Sequence, residues 1–364
     1  MTTEKRDTKR ITGVRRELLA WYARSRRDLP WRRTRDPYAI WVSEVMLQQT
    51  RVAVVVERYQ AFLARFPTLP SLAEAAEQEV LALWSGLGYY RRARMLHKAA
   101  QVVARDYGGM MPTTSKELRL LPGIGAYTAA AIASIAHDEA VAVVDGNVER
   151  VLCRMAGWEE SGRAGRADLK RKIEDFAAEL LHPDEPGDWN QALMELGATV
   201  CLPRNPQCMT CPLIEDCATR GEHKTLPRAR MQSREAAYAL CVRNGVGTGT
   251  EMEDEEVLLE QRPASLTVMP GLWELPELAD PAFPEKELRL MVRHAIMQVN
   301  YSVRIRFVRI GAAMEGDLPT FSARGGERRW VGISEAGKMA LTGLARKVLN
   351  RALLLPREKA AMGE

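Results

Sequence analysis

The sequence predicts a mainly helical N-terminal region followed by a smaller domain of mixed helices and strands. Three observations support this fold class. The 364 residues are too many for one small core, so two domains are expected. Apolar residues recur near a 3.6-residue period through residues 14–230, whereas alternating and β-branched segments follow after about residue 230. A composition of 46% apolar and 27% charged residues excludes wholesale disorder.

The helical segments of the first part are mostly bounded by Pro, Gly or Asp. They are residues 14–24, 39–66, 71–85, 91–107, 115–120, 126–136, 147–156, 166–181 and 189–201. In the second part the predicted strands are residues 236–243, 256–261 and 299–310, and the predicted helices are residues 285–295 and 341–354. We therefore expect a first domain over residues 1–225, a linker at 226–234 and a second domain over 235–358.

The net charge of +5 is concentrated at the start of the chain. Residues 1–230 carry 34 Lys and Arg against 29 Asp and Glu, whereas residues 231–364 carry 18 of each sign. Residues 1–35 alone carry 12 basic and 4 acidic groups. This excess suggests a polyanion partner, although a solvated basic N-terminus would give the same arithmetic.

Secretion and membrane insertion are not expected. The first ten residues contain no apolar core of a signal peptide, and no apolar run approaches the roughly 20 residues that a membrane span needs. We therefore expect a cytoplasmic protein that does not bind membranes.

Four of the six cysteines lie within seventeen residues, with the spacing C-x6-C-x2-C-x5-C. Clustered cysteines in a reducing compartment more often hold metal than form disulfides. Four thiolates are the usual ligands of a [4Fe–4S] cluster, whereas zinc sites usually present two C-x2-C pairs and this chain has one. We predict a [4Fe–4S] cluster with a structural or redox-tuning role, and zinc is the alternative. The predicted ligands are Cys201, Cys208, Cys211 and Cys217.

The sequence LPGIG (121–125) joins two helical patterns and has the form of a helix–hairpin–helix turn. Gly123 and Gly125 let the backbone turn sharply and approach a phosphate without an obstructing Cβ. The N-terminus of the next helix then offers free N–H groups to the anion, a contact that grips DNA without reading its sequence. An ordinary turn between two helices is the alternative.

Two carboxylates accompany this hairpin. Glu44 lies in the largely apolar segment WVSEVMLQQT (41–50), and Asp145 directly precedes a predicted helix. Taken alone, Glu44 could be a solvent-facing helix charge and Asp145 a plain N-cap. The two carboxylates become candidate catalytic groups because they occur together with the hairpin.

Six motifs occur together with the four cysteines, in a fixed order along the chain. They are PWR (30–32), SEVMLQQT (43–50), GLGYY (86–90), LPGIGAYT (121–128), VDGNVER (144–150) and NQALMELG (190–197). In this order they resemble the adenine DNA glycosylase (MutY) family, within the endonuclease III superfamily of helix–hairpin–helix glycosylases. The resemblance is dense over residues 14–225 and looser toward the C-terminus.

The resemblance implies a monofunctional enzyme of base excision repair that removes adenine mispaired with 8-oxoguanine or guanine in double-stranded DNA. The adenine would be flipped out of the duplex. Glu44 matches the family's general acid, and Asp145 matches the carboxylate that stabilises or captures the sugar cation. Tyr127 matches the tyrosine beside the sugar, at the place where related bifunctional glycosylases carry a Schiff-base lysine. Asn147 matches the residue that supports Asp145.

The same resemblance implies further contacts with DNA. Gln49 and Tyr89 match residues that fill and wedge the opened base stack, for which core packing is the alternative. Arg32 and Gln191 match residues that hold the extruded adenine, for which a solvated or core-supporting side chain is the alternative.

The second domain resembles the family's Nudix (MutT-like) lesion-recognition domain from GLWELP (271–276) onward. Gly271 and Glu277 keep the first spacing of the Nudix catalytic box, but residues 285–289 lack its acidic cluster, so pyrophosphohydrolase activity is not expected. The family's lesion-reading loop corresponds here to residues 296–298, Ile-Met-Gln, without the usual serine and histidine. A mismatch glycosylase of shifted base specificity and a non-catalytic Fe–S DNA-binding protein are therefore the alternative functions.

Overall fold

The computed structural model describes residues 3–159, 166–221, 231–244, 255–296, 298–310, 318–323 and 325–352. The chain forms two compact units. The helical unit consists of Met1–Glu74 and Met95–Pro227, and the sheet unit consists of Ala75–Arg94 and Arg228–Glu364. Residues 226–230 of the expected linker, residues 353–358 of the expected second domain, and Met297 lie outside the described part of the chain.

Up to residue 221 the described part of the chain is mainly helical, as the apolar periodicity predicts. The helices are α1 (Thr3–Ser25), α2 (Pro37–Leu47), α3 (Val52–Arg65), α4 (Leu69–Ala73), α5 (Glu77–Leu83), α6 (Arg91–Asp106), α7 (Ser115–Leu118), α8 (Ala126–His137), α9 (Gly146–Ala156), α10 (Arg166–Leu180) and α11 (Pro186–Thr199). The predicted segment 39–66 is divided between α2 and α3, because the backbone turns at Gln49 with a left-handed φ of 57°. Among the described helices, none has the length and apolar character to cross a membrane.

The described residues of the sheet unit form a six-stranded sheet with the order β3-β2-β1-β5-β4, and β6 also pairs with β2. The strands are β1 (Gln232–Asn244), β2 (Glu255–Gln261), β3 (Trp273–Glu274), β4 (Leu288–Ile296), β5 (Val299–Ile310) and β6 (Arg328–Gly332). The long central pair, β1 and β5, is parallel. Helices α12 (Ile333–Ala336) and α13 (Gly343–Arg351) follow, and α13 buries Leu344 and Val348 in a core shared with Val303 and Ile305 of β5.

The predicted helix over residues 285–295 is wrong. A short 3-10 turn, Glu285–Glu287, leads directly into β4, which pairs antiparallel with β5. Leu288, Leu290 and Val292 alternate with exposed residues, a period of two that suits a strand. The edge of β5 offers backbone partners to this segment, so pairing in the sheet prevails over its helical propensity.

Two glycines of α11 allow helices of the helical unit to approach closely. A Cβ on Gly187 would lie 2.7 Å from the Ser134 carbonyl oxygen and 3.0 Å from the Ile135 Cα in α8. A Cβ on Gly197 would lie 2.7 Å from the Cβ of Asn147 in α9. Helix α11 therefore packs at backbone distance against the two helices that begin next to the hairpin and next to Asp145.

We predict that Gly187→Ala lowers the free energy of unfolding of the helical unit by about 1–3 kcal/mol, since backbone atoms must move to admit the methyl group. Gly13→Ala in α1 is the matched control. A Cβ at Gly13 meets nothing within 4 Å, so this change should leave stability the same or raise it by up to about 1 kcal/mol. Urea denaturation monitored by circular dichroism compares the two variants, and equal effects would contradict the close packing of α11.

Candidate active site

Glu44 is a carboxyl group in the interior of the helical unit. Helix α2 is capped by Asp36, which accepts a hydrogen bond from the Tyr38 N–H at 3.0 Å, and it begins with a proline. The side chains of α2 are almost all apolar and buried, so Glu44 is carried inward with them and is only 5% exposed. Burial raises the pKa of Glu44 to about 7, because the charged form loses its hydration.

Tyr127, in the first turn of α8, is the hydrogen-bond partner of Glu44. Its hydroxyl donates to Glu44 Oε2 at 2.6 Å. Burial, together with the nearby Glu44, raises the pKa of Tyr127 well above its ordinary value, so the phenol stays protonated and acts as a donor. This bond favours the ionised form of Glu44 and partly opposes the effect of burial on its pKa.

The hairpin before α8 has the geometry that its glycines suggest. Gly123 has a left-handed φ of 76°, and a Cβ there would lie 2.5 Å from the Cβ of Met95 in α6. Gly125 is extended and forms the N-cap of α8, where no side chain caps the helix. Both glycines are exposed, and the first N–H groups of α8 have no side-chain cap.

Glu139 fixes the first helix of this hairpin, a role that the sequence motif did not reveal. Its carboxylate accepts hydrogen bonds from the Ser115 N–H at 2.6 Å and the Ser115 hydroxyl at 2.7 Å. Ser115 begins α7 and Glu139 follows α8. The two helices on either side of the glycine turn are therefore tied together at their outer ends.

Asp145 is the N-cap of α9, and this local role fixes its carboxylate. Oδ1 accepts from the Asn147 and Val148 N–H groups at 2.8 and 2.7 Å, and Oδ2 accepts from Asn147 Nδ2 at 3.1 Å. Asp145 also raises the pKa of Glu44 through charge repulsion, which places the two carboxylates within electrostatic reach of each other. The N-cap and catalytic interpretations of Asp145 are thus compatible in one geometry.

Asn190, on α11, holds the extended segment that leads to Asp145. Its Oδ1 accepts from the Val143 N–H at 3.0 Å, and its Nδ2 donates to the Val141 carbonyl at 2.9 Å and to the Ser134 hydroxyl at 3.0 Å. Asn190 is almost fully buried. The sequence motif contained this residue, but only the structure reveals that it positions the chain before Asp145.

Arg150 connects the environment of Asp145 to the cysteine segment. Its guanidinium donates to Asn147 Oδ1 at 2.9 Å, to the Gly197 carbonyl at 2.7 Å and to the Cys201 carbonyl at 2.9 Å. Because Asn147 in turn bonds to Asp145, a continuous chain of contacts joins the carboxylate to Cys201. Burial lowers the pKa of Arg150, but a guanidinium still remains charged at neutral pH.

Arg32 is committed to a buried ion pair. Its guanidinium donates to Glu195 Oε2 at 2.7 Å and to the Arg27 carbonyl at 3.1 Å, and it lies over the Tyr22 ring. The Glu195 side chain is completely buried and also binds Arg27 at 2.7 Å. Burial alone would raise the pKa of Glu195, but the hydrogen bonds from Arg27 and Arg32 lower it to about 2. As with Glu139 and Asn190, only the structure reveals what Glu195 does.

The remaining expected DNA contacts differ in their exposure. Gln49, after α2, is exposed and has a left-handed backbone. Tyr89, in the sheet unit, is 52% exposed and has a φ of 46°. Gln191 is half-buried on α11. Neither Gln49 nor Tyr89 packs in a core, and both occupy a conformation that is uncommon outside glycine.

The four clustered cysteines line one cavity together with apolar and basic residues. None of the four forms a disulfide, and burial raises the pKa of Cys211 to about 11. Arg154, also buried, donates to Cys201 Sγ at 3.4 Å and to the Leu202 carbonyl at 2.7 Å. Among the residues that the structure describes, no three His, Cys, Asp or Glu side chains are arranged to hold a metal ion.

The comparisons with known proteins agree with this geometry. The model of the HhH-GPD superfamily base excision DNA repair protein matches residues 42–179. The adenine DNA glycosylase of Homo sapiens is 36% identical over 94% of this chain and 74% of its own length. The adenine DNA glycosylase of Mycobacterium tuberculosis (strain ATCC 25618 / H37Rv) is 39% identical over 79% of this chain and 92% of its own length.

Two solved structures resemble part of the chain. A thermostable thymine-DNA glycosylase is 31% identical with a TM-score of 0.53, and the match covers 58% of this chain and 97% of that one. A non-covalent endonuclease III–DNA complex is 23% identical with a TM-score of 0.50, covering 60% and 97% of the two chains, and shares the fold. With its helix–hairpin–helix turn, its buried carboxyl group and these relatives, the chain belongs to the adenine DNA glycosylase family and is a DNA glycosylase.

Proposed function

We propose that this enzyme excises adenine mispaired with 8-oxoguanine or guanine in double-stranded DNA, as a monofunctional glycosylase of base excision repair. The observation that carries the proposal is the buried Glu44 carboxyl, hydrogen-bonded to Tyr127 and within electrostatic reach of Asp145. A carboxyl with a pKa near 7 can hold a proton at neutral pH and give it to a leaving group. The proposal that the released base is adenine rests on the relatives, which are adenine DNA glycosylases similar to this chain over most of its length.

The mechanism divides the work between two carboxyl groups. After the adenine is flipped out of the duplex, Glu44 donates its proton to a ring nitrogen and makes the base a better leaving group. As the N-glycosidic bond breaks, positive charge develops on the sugar. Asp145, held by two backbone N–H groups and Asn147, stabilises that charge. Water then adds to the sugar to leave an abasic site, and the proton that the water loses restores the protonated form of Glu44.

Tyr127 favours hydrolysis over strand cleavage. Its phenol hydroxyl donates to Glu44, and burial keeps it protonated. A lyase reaction of the kind catalysed by a Schiff-base lysine needs an amine at this place, and tyrosine has none. The product is therefore an intact strand with an abasic site, which breaks on treatment with alkali.

DNA binding is assigned to the hairpin and to the residues around the flipped base. The exposed turn at Gly123 and the uncapped N-terminus of α8 suit a DNA phosphate. Gln49 and Tyr89 are the candidates to occupy the opened stack. Gln191 is the candidate to contact the adenine directly, whereas Arg32 would shape the pocket through its ion pair with Glu195.

The four cysteines are proposed to hold a [4Fe–4S] cluster. The four cysteines line one cavity, and four thiolates are the usual ligand set of such a cluster. Zinc remains the alternative metal, since four cysteines can also hold a zinc ion. Bound there, the cluster would brace the loop that Arg150 and Arg154 connect to α9.

The sheet unit is proposed to correspond to a Nudix-like lesion-recognition domain over residues 235–358, linked by residues 226–234 to a glycosylase domain over 1–225. The enzyme is proposed to act as a monomer in the bacterial cytoplasm.

A shifted base specificity is the second candidate, since one similar structure is a thymine-DNA glycosylase and the segment 296–298 lacks the expected serine and histidine. A panel of duplexes with A opposite 8-oxoguanine, G or C, and with T opposite G, separates the candidates. We expect adenine release, fastest opposite 8-oxoguanine. Release of thymine in preference to adenine would favour the second candidate, and binding without release of any base would indicate a non-catalytic protein.

We predict that Glu44→Gln lowers the single-turnover rate of adenine release at least about 100-fold, the usual contribution of a general acid. The amide fills the same space but carries no acidic proton. The assay follows strand breakage after alkali treatment of the product. Glu57→Gln on α3 is the control, since it makes the same change outside the site. Full activity of Glu44→Gln would contradict the mechanism.

We predict that kcat/KM falls as the pH rises through about 7, because Glu44 loses its proton there. In Tyr127→Phe this decline should move to higher pH. The lost hydrogen bond stabilised the ionised carboxylate, so its removal raises the pKa of Glu44 further. Rates measured from pH 5 to 10 test the shift, and a decline at lower pH than in the wild-type enzyme would contradict it.

We predict that the purified protein absorbs visible light as an iron–sulfur protein and contains about four iron atoms per chain. Cys208→Ser should reduce the iron content, because it removes a ligand. Cys241→Ala, which changes a buried cysteine of the sheet unit, should not. Elemental analysis distinguishes the metals, and a colourless protein with one zinc ion would contradict the cluster.

A further inference from the structure

The loop between α5 and α6 presents an aromatic side chain from a strained backbone. Gly86, Gly88 and Tyr89 have left-handed φ values of 96°, 68° and 46°. A residue with a side chain adopts this conformation only when its surroundings hold it there. Tyr89 is 52% exposed, so its own packing does not supply the restraint. Other groups must therefore fix the loop.

The first restraint comes from within the loop segment. Arg92 lies 5.5 Å from the Trp84 ring centre and 5.6 Å from that of Tyr89, and it donates to the carbonyls of Leu87 and Gly88 at 3.0 and 3.3 Å. The Trp84 indole N–H also donates to the Gly88 carbonyl, at 3.1 Å. Trp84 and Arg92 thus hold the turn before Tyr89, and the Tyr89 ring lies against the Arg92 guanidinium.

The second restraint comes from residues more than 250 positions further along the chain. The Tyr90 hydroxyl donates to the Leu341 carbonyl at 2.9 Å, and the Ser85 hydroxyl donates to the same oxygen at 3.4 Å. Arg346, on α13, donates to the Ser85 hydroxyl at 2.6 Å. Ser85 and Tyr90 are buried. Both ends of the loop that carries Tyr89 are therefore anchored to a single carbonyl group.

The anchor itself is rigid. Leu341 precedes Thr342, the N-cap of α13, whose hydroxyl accepts from the Ala345 N–H at 3.1 Å and bonds to Glu274 at 3.1 Å. The Thr342 N–H donates to the Trp273 carbonyl of β3 at 2.8 Å. The Leu341 carbonyl is consequently fixed by both the sheet and the helix that follows it.

We propose that Tyr90 and Arg346 are positioning residues for Tyr89, so that the sheet unit governs DNA engagement through this loop. The inference rests on the proposed function, in which Tyr89 stacks in the opened duplex. A preset ring avoids the ordering cost that a mobile loop would incur on binding. The anchor should therefore affect the affinity for DNA rather than the rate of bond cleavage once DNA is bound.

The test uses Tyr90→Phe in the full-length enzyme, a change that removes one hydroxyl. We expect amide hydrogen exchange of residues 85–92 to accelerate and the Kd for a mispaired duplex to rise about three- to tenfold, the size of one buried hydrogen bond. The single-turnover rate at saturating DNA should stay unchanged. Unaltered exchange in residues 85–92 would overturn the inference.

Tyr38→Phe is the matched control, because the Tyr38 hydroxyl also donates to a buried backbone carbonyl, that of Phe66, at 2.9 Å. It should affect neither the exchange of residues 85–92 nor the Kd. Arg346→Met should reproduce the effects of Tyr90→Phe, whereas Arg351→Met, an exposed position on the same helix, should not. If both arginine variants behave alike, the anchor assignment is overturned.

A double-mutant cycle with Tyr89→Ala tests whether the anchor acts through Tyr89. We expect Tyr90→Phe to weaken binding in the wild-type background and to have no further effect when Tyr89 is alanine. Equal losses in both backgrounds would overturn the inference. If Tyr89→Ala binds DNA as the wild type does, the stacking role and this inference both fail, while adenine release by the same variant would leave the proposed glycosylase activity standing.

Discussion

The burial of Glu44 against Tyr127 is the constraint on which the rest of the site depends. An apolar helix carries the carboxyl into the interior, and one phenol hydroxyl partly compensates for its lost hydration. The two effects oppose each other and leave a pKa near 7, between a permanently neutral acid and a permanent charge. Both residues must be held in place to keep that balance. The contact of Glu139 with Ser115 ties the end of α8 to the start of α7, and α11 packs against α8 at backbone distance.

Helix α9 connects Asp145, the second carboxylate, to the cysteine segment. Its N-cap is Asp145, its first turn carries Asn147, and its next two turns carry Arg150 and Arg154, which bind the backbone around Cys201. A displacement of the cysteine segment would therefore also move Asp145. Helix α9 connects the two, and so do three hydrogen bonds that run from the Cys201 carbonyl through Arg150 and Asn147 to Asp145. A group bound by the cysteines could support catalysis in this way without contacting DNA or the reacting atoms.

The sequence predicted the helical region and the central strands well, because long apolar periodicities and β-branched runs are local signals. It failed at residues 285–295, where the edge of β5 converts a helix-compatible segment into a strand. The candidate site shows the same difference between residues with a local sequence signal and residues that act through distant contacts. Glu44, Tyr127 and Asp145 stood in recognisable motifs, but Glu139, Asn190 and Glu195 act through partners between 24 and 168 positions away in sequence. Contacts over such separations leave no pattern in one sequence.

The most direct test of the account is the protonation state of Glu44 in the free enzyme. Infrared difference spectra between wild type and Glu44→Gln, recorded across a pH series, isolate the stretching band of this one carboxyl group. Because burial raises the pKa of Glu44 to about 7, we expect a protonated carboxylic acid band at pH 6 that disappears as the pH rises through about 7. A carboxylate already ionised at pH 5 would contradict the claim that burial prepares Glu44 to act as an acid.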